Sequence, residues 1–331
     1  MNRKNINSLA VTVLLAVCFP AIQANLFGSP LGATLESITH RDQEKLGPTR
    51  RAGLQQDRTQ IPTMVALLRR TPMPDRFLMD TALHSLAQMG AVDALPPIND
   101  LIQSSKDINI SNYAKAARAR LLAESEAGPG PDNDVQAQAK LDRFYEELGE
   151  TPADINEGVT LYLKELKSRV GPGVPPKFPA ELYAMRELAD MAYHSQYTGF
   201  ASLVGMSQIQ FNLDGRSALK VRLASLSQSD RVAWLVQDLS TKQSITDEEN
   251  AEIQLAGDLG PSAGQAAAVK LLEMDQHRDK YSRAGFSALF SVITMSGSDG
   301  RNVLDHFKND PNPLIAEYAK RGGGGQFIEA Y

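Results

Sequence analysis

Thr246-Asp-Glu-Glu249, Gly260-Pro261 and Ser262-Ala-Gly-Gln265 punctuate the stretch from Thr246 to Gly322 and mark where its helices start and stop. In a capping box a threonine or serine hydroxyl bonds the amide of the third helical residue, while the Glu or Gln side chain at that position reaches back. Thr246 with Glu249 and Ser262 with Gln265 both have that spacing. Between them Ala251, Leu255 and Leu259 recur every fourth residue, which puts them on one helical face, and Gly260-Pro261 supplies a left-handed exit and a stop. Behind the second box, Ala268, Leu271 and Leu272 form another apolar stripe, so the two helices make a hairpin. Tyr281, Ala284, Ala288 and Val292 carry a third stripe to Gly297, 37 residues beyond Gly260, and Val303, Leu304 and Phe307 carry a fourth. Asp310-Pro311 then sets a capping carboxylate before a first-turn proline, ahead of Leu314, Ile315, Tyr318 and Ala319, and Gly322 ends the run.

The same period runs through the rest of the chain. Ile61, Met64, Leu67 and Leu68 predict an opening helix, and after Thr71-Pro-Met-Pro74 the residues Leu78, Ala82 and Leu86 recur at intervals of four. A partner helix follows Gly90, and the alanine-rich run from Tyr113 to Leu122 lets helices approach closely. Val135 to Leu148 and Pro152 to Arg169 predict one longer hairpin, with Leu141, Phe144 and Leu148 facing Val159, Leu161, Leu163 and Leu166. Leu182, Met185 and Leu188 resume the pattern, and Leu219 to Leu226 with Val232 to Leu239 predicts a further hairpin. Gln208 to Leu213 alternates too briefly to define a strand. The expected fold is all-α. Its divisions are a signal peptide at 1–24, a polar arm with at most one short helix at 25–60, helices at 61–126, a linker at 127–134, the hairpin at 135–169, a second linker at 170–178, helices at 179–322 and a tail at 323–331.

Leu255-Ala-Gly-Asp-Leu-Gly260 followed by Ala267-Ala-Val-Lys-Leu-Leu272 resembles the HEAT repeat, the paired-helix unit of α-solenoids. Asp310-Pro-Asn-Pro-Leu-Ile315 with Ala319 carries the same likeness, and so does Leu83-His-Ser-Leu-Ala-Gln-Met-Gly90 followed by Ala94-Leu-Pro-Pro-Ile-Asn-Asp-Leu-Ile102. Asp279 and Arg283 fit the family's Asp and Arg positions, whereas Ala316 stands where the last unit would have its arginine. The resemblance implies a solenoid of stacked antiparallel helix pairs, about six units at roughly 35–47 residues each. It implies little about function, because a repeat fold is a scaffold on which sites are grafted.

Asn2, Arg3 and Lys4 precede the apolar run Leu9 to Val17, and Ala21-Ile-Gln-Ala24 offers small residues for cleavage, the pattern of a secretory signal peptide. The run is short of the ~20 residues a spanning helix needs, and Pro20 interrupts its end. Leu15-Ala-Val-Cys18 leaves open a lipoprotein alternative, although Val17 is bulky for the residue before a lipidated cysteine. Cleavage after Ala24 removes the only cysteine and moves the formal charge from −5 to −7. An exported chain without cysteine points to a bacterial periplasm or exterior, and an acidic surface gives no general attraction for nucleic acid or anionic lipid.

No chemical motif stands out in the sequence. His277-Arg-Asp279 lacks the glycine-rich loop and Asp-Phe-Gly of a kinase. Gly128-Pro-Gly and Gly171-Pro-Gly lack the amides and the Lys-Ser/Thr of a phosphate cradle. The histidines, His40, His84, His194, His277 and His306, are not paired at metal-ligand spacing, so neither a metal nor a cofactor is expected. His84 is expected at a helix surface or boundary. Trp234 is either a binding anchor or core, with core preferred, and Tyr193, Tyr197 and Phe200 either line a groove or plug a loop. The expected function is a non-enzymatic scaffold that binds a protein or peptide along its surface. The alternative is an enzyme, or an enzyme-assisting chaperone, using a groove carboxylate such as Asp100 or Asp238. Relatives that modify bilin-bearing proteins or excise DNA bases imply that possibility, against the acidic charge and the export signal.

Overall fold

The structure, a computed structural model, describes residues 40–74, 76–126, 133–168, 177–242 and 261–275, with short pieces at 251–253, 255–256, 259, 305–311, 316 and 320. These residues are all-α, with no strand among them. In chain order the helices are α1 (His40–Leu54), α2 (Ile61–Leu68), α3 (Arg76–Gln88), α4 (Leu95–Ser104), α5 (Ile108–Glu126), α6 (Asp134–Leu148), α7 (Pro152–Ser168), α8 (Ala180–His194), α9 (Thr198–Met206), α10 (Gly215–Leu223), α11 (Gln228–Thr241) and α12 (Pro261–Asp275). None of the described helices is long and apolar enough to cross a membrane.

Local chemistry sets the ends. Asn133 caps α6 by accepting from the Gln136 amide at 3.0 Å, and Gly149, at φ 76°, takes the left-handed exit. At α7 Thr151 and Asp154 bond each other's amides, Thr151 N donating to Asp154 Oδ2 at 2.8 Å and Asp154 N to Thr151 Oγ1 at 3.3 Å. Arginines close several C-terminal ends, where carbonyls lack helical partners. Arg58 donates to Met89 O, Arg118 to Glu147 O, and the buried Arg231 to Tyr193 O, Leu223 O and Ala224 O, so that one guanidinium ties the ends of α8 and α10 to α11.

Helices α1, α3, α5, α8 and α10 form a row in which each packs against the next. The others pack on these or on one another: α2 on α3 and α4, α4 on α5, α6 on α5 and α9, α7 on α8, and α11 on α12. Close approach in the row needs small residues. Gly53 of α1 lies where an added Cβ would sit 2.6 Å from Ser85 Oγ of α3, and that hydroxyl donates to Thr49 O at 3.0 Å. Helix α5 is buried on two faces. Ala114, Ala117 and Leu121 enter the core shared with α3, and Ala116, Ala119 and Ala123 enter the core shared with α6 and α8. A helix walled on both sides shows little amphipathic period, and its five alanines are spread over both buried faces.

The stripes at Ile61, Met64, Leu67 and Leu68, at Leu78, Ala82 and Leu86, and at Leu182, Met185 and Leu188 are buried. Ala251 and Leu255 are buried with Leu219, Leu223, Leu235 and Leu239, and Leu259 and Leu272 pack against them. Three details differ from the sequence reading. Residues 40–54 of the polar arm form a helix of four turns seated on α3. The expected α6–α7 hairpin partners turn to different neighbours, and Leu161 is 56% exposed. Ile155, Val159 and Tyr162, at spacings of four and three, make the buried face of α7, and a residue two positions from Val159 cannot share it. Phe178, at the end of the second linker, is buried beside Tyr162 and Tyr183. Thr246 to Glu249, Gly260, the stripe from Tyr281 to Gly297, Val303, Leu304 and all but Ala316 of Leu314 to Ala319 lie outside the described residues. So do the signal segment, 127–132, 170–176 and the tail.

Candidate functional site

Arg76, Asp80 and His84 share one face of α3 at intervals of four, and Tyr183, Glu187, Asp190 and His194 share one face of α8 at spacings of four, three and four. Helix α5 lies between them and carries Tyr113, Arg120 and Glu124, and α10 brings Lys220 from the far side. The result is a line of charge across four helices of the row.

Its centre is sealed. Arg120, Glu187 and Asp190 are each no more than 1% exposed. Arg120 Nη1 donates to Glu187 Oε2 at 2.6 Å and to Asp190 Oδ2 at 2.8 Å. Lys220 Nζ holds Asp190 Oδ1, and His84 Nδ1 meets Glu187 Oε1 at 2.7 Å while its Nε2 lies 3.4 Å from Asp190 Oδ2. Farther out, Lys140 of α6 pairs with Glu124 at 2.5 Å, and Glu124 lies 3.8 Å from Arg120. Taking ions out of water is costly unless each is paired and hydrogen-bonded, and here every carboxylate oxygen of Glu187 and Asp190 faces a cationic side chain or a histidine. Burial pushes the Glu187 carboxyl up, but His84 and Arg120 outweigh it and hold it at about 2. Burial also opposes ionisation of Asp190, and His194, Lys220, His84 and Arg120 together hold it well below the usual carboxylate range. Burial and the neighbouring Glu187 push the Tyr113 hydroxyl well above the usual phenol range.

The two histidines are the open edge, with side chains 24% (His84) and 31% (His194) exposed. His194 Nδ1 lies 3.2 Å from Asp190 Oδ2 and 3.1 Å from Asp190 O. Both neighbours are acceptors, so Nδ1 is the nitrogen that donates there. Aromatic stacking continues the line: Tyr113 and Tyr183 lie parallel at 4.3 Å, and Arg76 reaches the Tyr183 hydroxyl at 3.3 Å and lies over the Phe178 ring at 4.8 Å. Among the described residues no group of three or more His, Cys, Asp or Glu is arranged to hold a metal, and in this cluster Arg120 and Lys220 meet the Asp190 carboxylate.

Asp100 and Asp238, the carboxylates singled out from the sequence, stand apart: Asp100 is exposed on α4, and Asp238 pairs with Lys242 at 3.2 Å at the end of α11. His306 is exposed beside Phe307, His40 begins α1, and His277 lies outside the described residues. Trp234 is half-buried against the core, with the Arg222 guanidinium 4.8 Å from its ring centre. Tyr193 and Phe200 are buried, and the Tyr197 hydroxyl donates to Asp134. A concavity of about 340 Å³, lined by Lys45, Gln55, Asp57, Gln60, Thr63 and Met64, lies between α1 and α2. Asp57 there accepts from the amide and hydroxyl of Thr59 and so closes a local turn. No family model, no curated protein and no solved structure matches the chain.

Proposed function

We propose that the chain is an exported, non-enzymatic scaffold, a HEAT-like solenoid that binds a protein or peptide along the open face of its helix row. One observation carries this reading: α1, α3, α5, α8 and α10 pack in succession, and α2, α4, α6, α7 and α9 each pack against members of that row. Stacked helix pairs pack in that way, and they offer an extended surface suited to a partner chain. The charged line fits as the fastening of that surface, since its carboxylates are already met by side chains of the protein itself. In this reading the apolar segment at 9–17 directs export and cleavage follows Ala24. An intact mass beginning at Asn25 supports the export step, and one retaining Met1 or a lipidated Cys18 overturns it. To test the binding step, the secreted chain is used to capture partners from an envelope extract. Glu124→Lys on the row should weaken capture more than about tenfold, and Leu161→Lys on α7 should leave it unchanged; equal effects of the two contradict the assignment of the face.

A second reading is favoured by one feature, the Asp190–His194 pair at 3.2 Å with the imidazole partly exposed. That is the arrangement of an oriented general base. A folded His194→Gln variant that captures the partner normally but has lost all biological effect selects the enzyme.

A further inference from the structure

Helices α1 and α2 are both seated on α3, and the concavity of about 340 Å³ is the cleft between them. On α1, Lys45, Pro48, Ala52 and Gln55 follow at spacings of three, four and three, so one face of that helix lines the cleft. Gln60, just before α2, with Thr63 and Leu67 continues the same kind of spacing on the other wall, and Met64 lies beside them. Ala52, Met64 and Leu67 are buried and make an apolar floor. Above it stand polar groups: the exposed Lys45, Gln55, Gln60 and Thr63, and the half-buried Arg51. Residues 40–74, which build these two helices, hold seven Lys and Arg against three Asp and Glu, in a chain whose formal charge is −5. The cleft is thus in a basic stretch of an acidic protein, and such a stretch attracts anions. Among the described residues that line it, Asp57 is the one carboxylate, and its Oδ1 accepts from the amide and hydroxyl of Thr59. Asp57 stands in the link between the helices, whereas Lys45 is ten residues before Gln55, about 15 Å farther along α1.

We propose that this cleft binds the C-terminal end of a partner polypeptide whose last residue is apolar. The proposal rests on the scaffold reading and names the part of the partner that the first helix of the row receives. The terminal carboxylate lies toward Lys45 and Arg51, where charge-assisted hydrogen bonds hold it away from Asp57. The last side chain covers the floor of Ala52, Met64 and Leu67. The side-chain amides of Gln55 and Gln60 and the Thr63 hydroxyl bond the backbone of the preceding residues. An extended chain advances about 3.3 Å per residue, so about four residues span the length of α1 between Lys45 and Gln55. An acyl chain with a carboxylate head uses the cations and the floor but none of the amides, so the lining favours a peptide.

The test measures, by anisotropy, binding of a fluorescein-labelled hexapeptide that ends in leucine with a free carboxylate to the full chain. Amidating the terminus should weaken binding about tenfold, and replacing the terminal leucine by aspartate should also weaken it. Lys45→Gln should bring the free-carboxylate peptide down to the level of the amidated one, and Lys45→Arg should restore it. Arg69→Gln, the same charge change at an exposed residue outside the cleft, should leave the difference intact, which separates the site from general attraction by a basic stretch. Lys45 is exposed, so its variants are expected to fold. Equal affinity for the free and amidated peptides, or a Lys45→Gln chain that keeps the full difference, overturns the proposal. Binding of octanoate by a chain that binds no peptide also overturns it and assigns the cleft to acyl chains. Absence of peptide binding, with capture at the row still weakened by Glu124→Lys, sinks the cleft assignment alone. Peptide binding of the expected kind by a chain that captures no partner sinks the scaffold reading and leaves the cleft.

Discussion

Arg120 is the residue whose removal most exposes the logic of the cluster. It has one nitrogen on two carboxylates, all three groups buried, so Arg120→Met leaves two negative charges facing one lysine and the histidines. Breaking a buried pair in this way costs about 3–5 kcal/mol, and a chemical denaturation curve should show that loss with little change in slope. The carboxylates predict a pH dependence of definite sign. Glu187 and Asp190 have folded-state pKa values below the ordinary carboxylate range. Their contribution is therefore present above their unfolded pKa and is lost as pH falls through the folded values, because the unfolded chain then binds more protons. The melting temperature should fall between about pH 4 and about pH 2, and Glu187→Gln should flatten that slope; an unchanged slope contradicts the pairing. The sequence did contain a signal for these residues. Helix α8 is apolar at all positions from Leu182 to Tyr193 except Arg186, Glu187 and Asp190, of which Arg186 takes the solvent side, and both carboxylates share a spacing with His194. That signal alone does not single them out, because a charge in a helix is usually exposed and because Arg120 and Lys220 come from distant parts of the chain.

At the level of helices, period and caps sufficed wherever one face was buried. Helices α2, α3 and α8 fell where their stripes put them. Periodicity failed at α1, whose sequence is polar and holds Pro48, yet whose Thr49, Ala52 and Gly53 meet Ser85 and the α3 core. It also failed to choose partners, since the stripe on α6 or α7 says that a face is buried but not against which helix. Two substitutions test the observed packing. Gly53→Leu forces a side chain into the space of Ser85 and should cost about 1–3 kcal/mol, the range for overpacking, whereas Leu161→Asp should stay within about 0.5 kcal/mol, as exposed positions do. Thermal melts would separate the two, and a large loss at Leu161 would return α7 to the facing hairpin expected from its sequence.

Across the whole molecule, the row is the claim on which the functional reading depends. Its cores are contiguous through shared helices: α5 serves the core around Leu83 and the one around Leu188, and Tyr193 of α8 joins the next around Leu255. Leu255→Asp should therefore destabilise more than its own helix, by on the order of 3 kcal/mol or more for a buried unpaired carboxylate, with hydrogen exchange accelerating also at α8 and α10. The all-helical class was legible in the sequence because every stripe had the same period. The proposed binding face was not, because it is assembled from helices far apart in the chain. That face is tested most directly by a photoreactive amino acid placed in turn at His194 and Glu124 on the row and at Val135 and Leu161, both exposed on other helices. The account predicts that one partner is captured from the two row positions and from neither of the others. Capture from Val135 or Leu161, with none from the row, would contradict it.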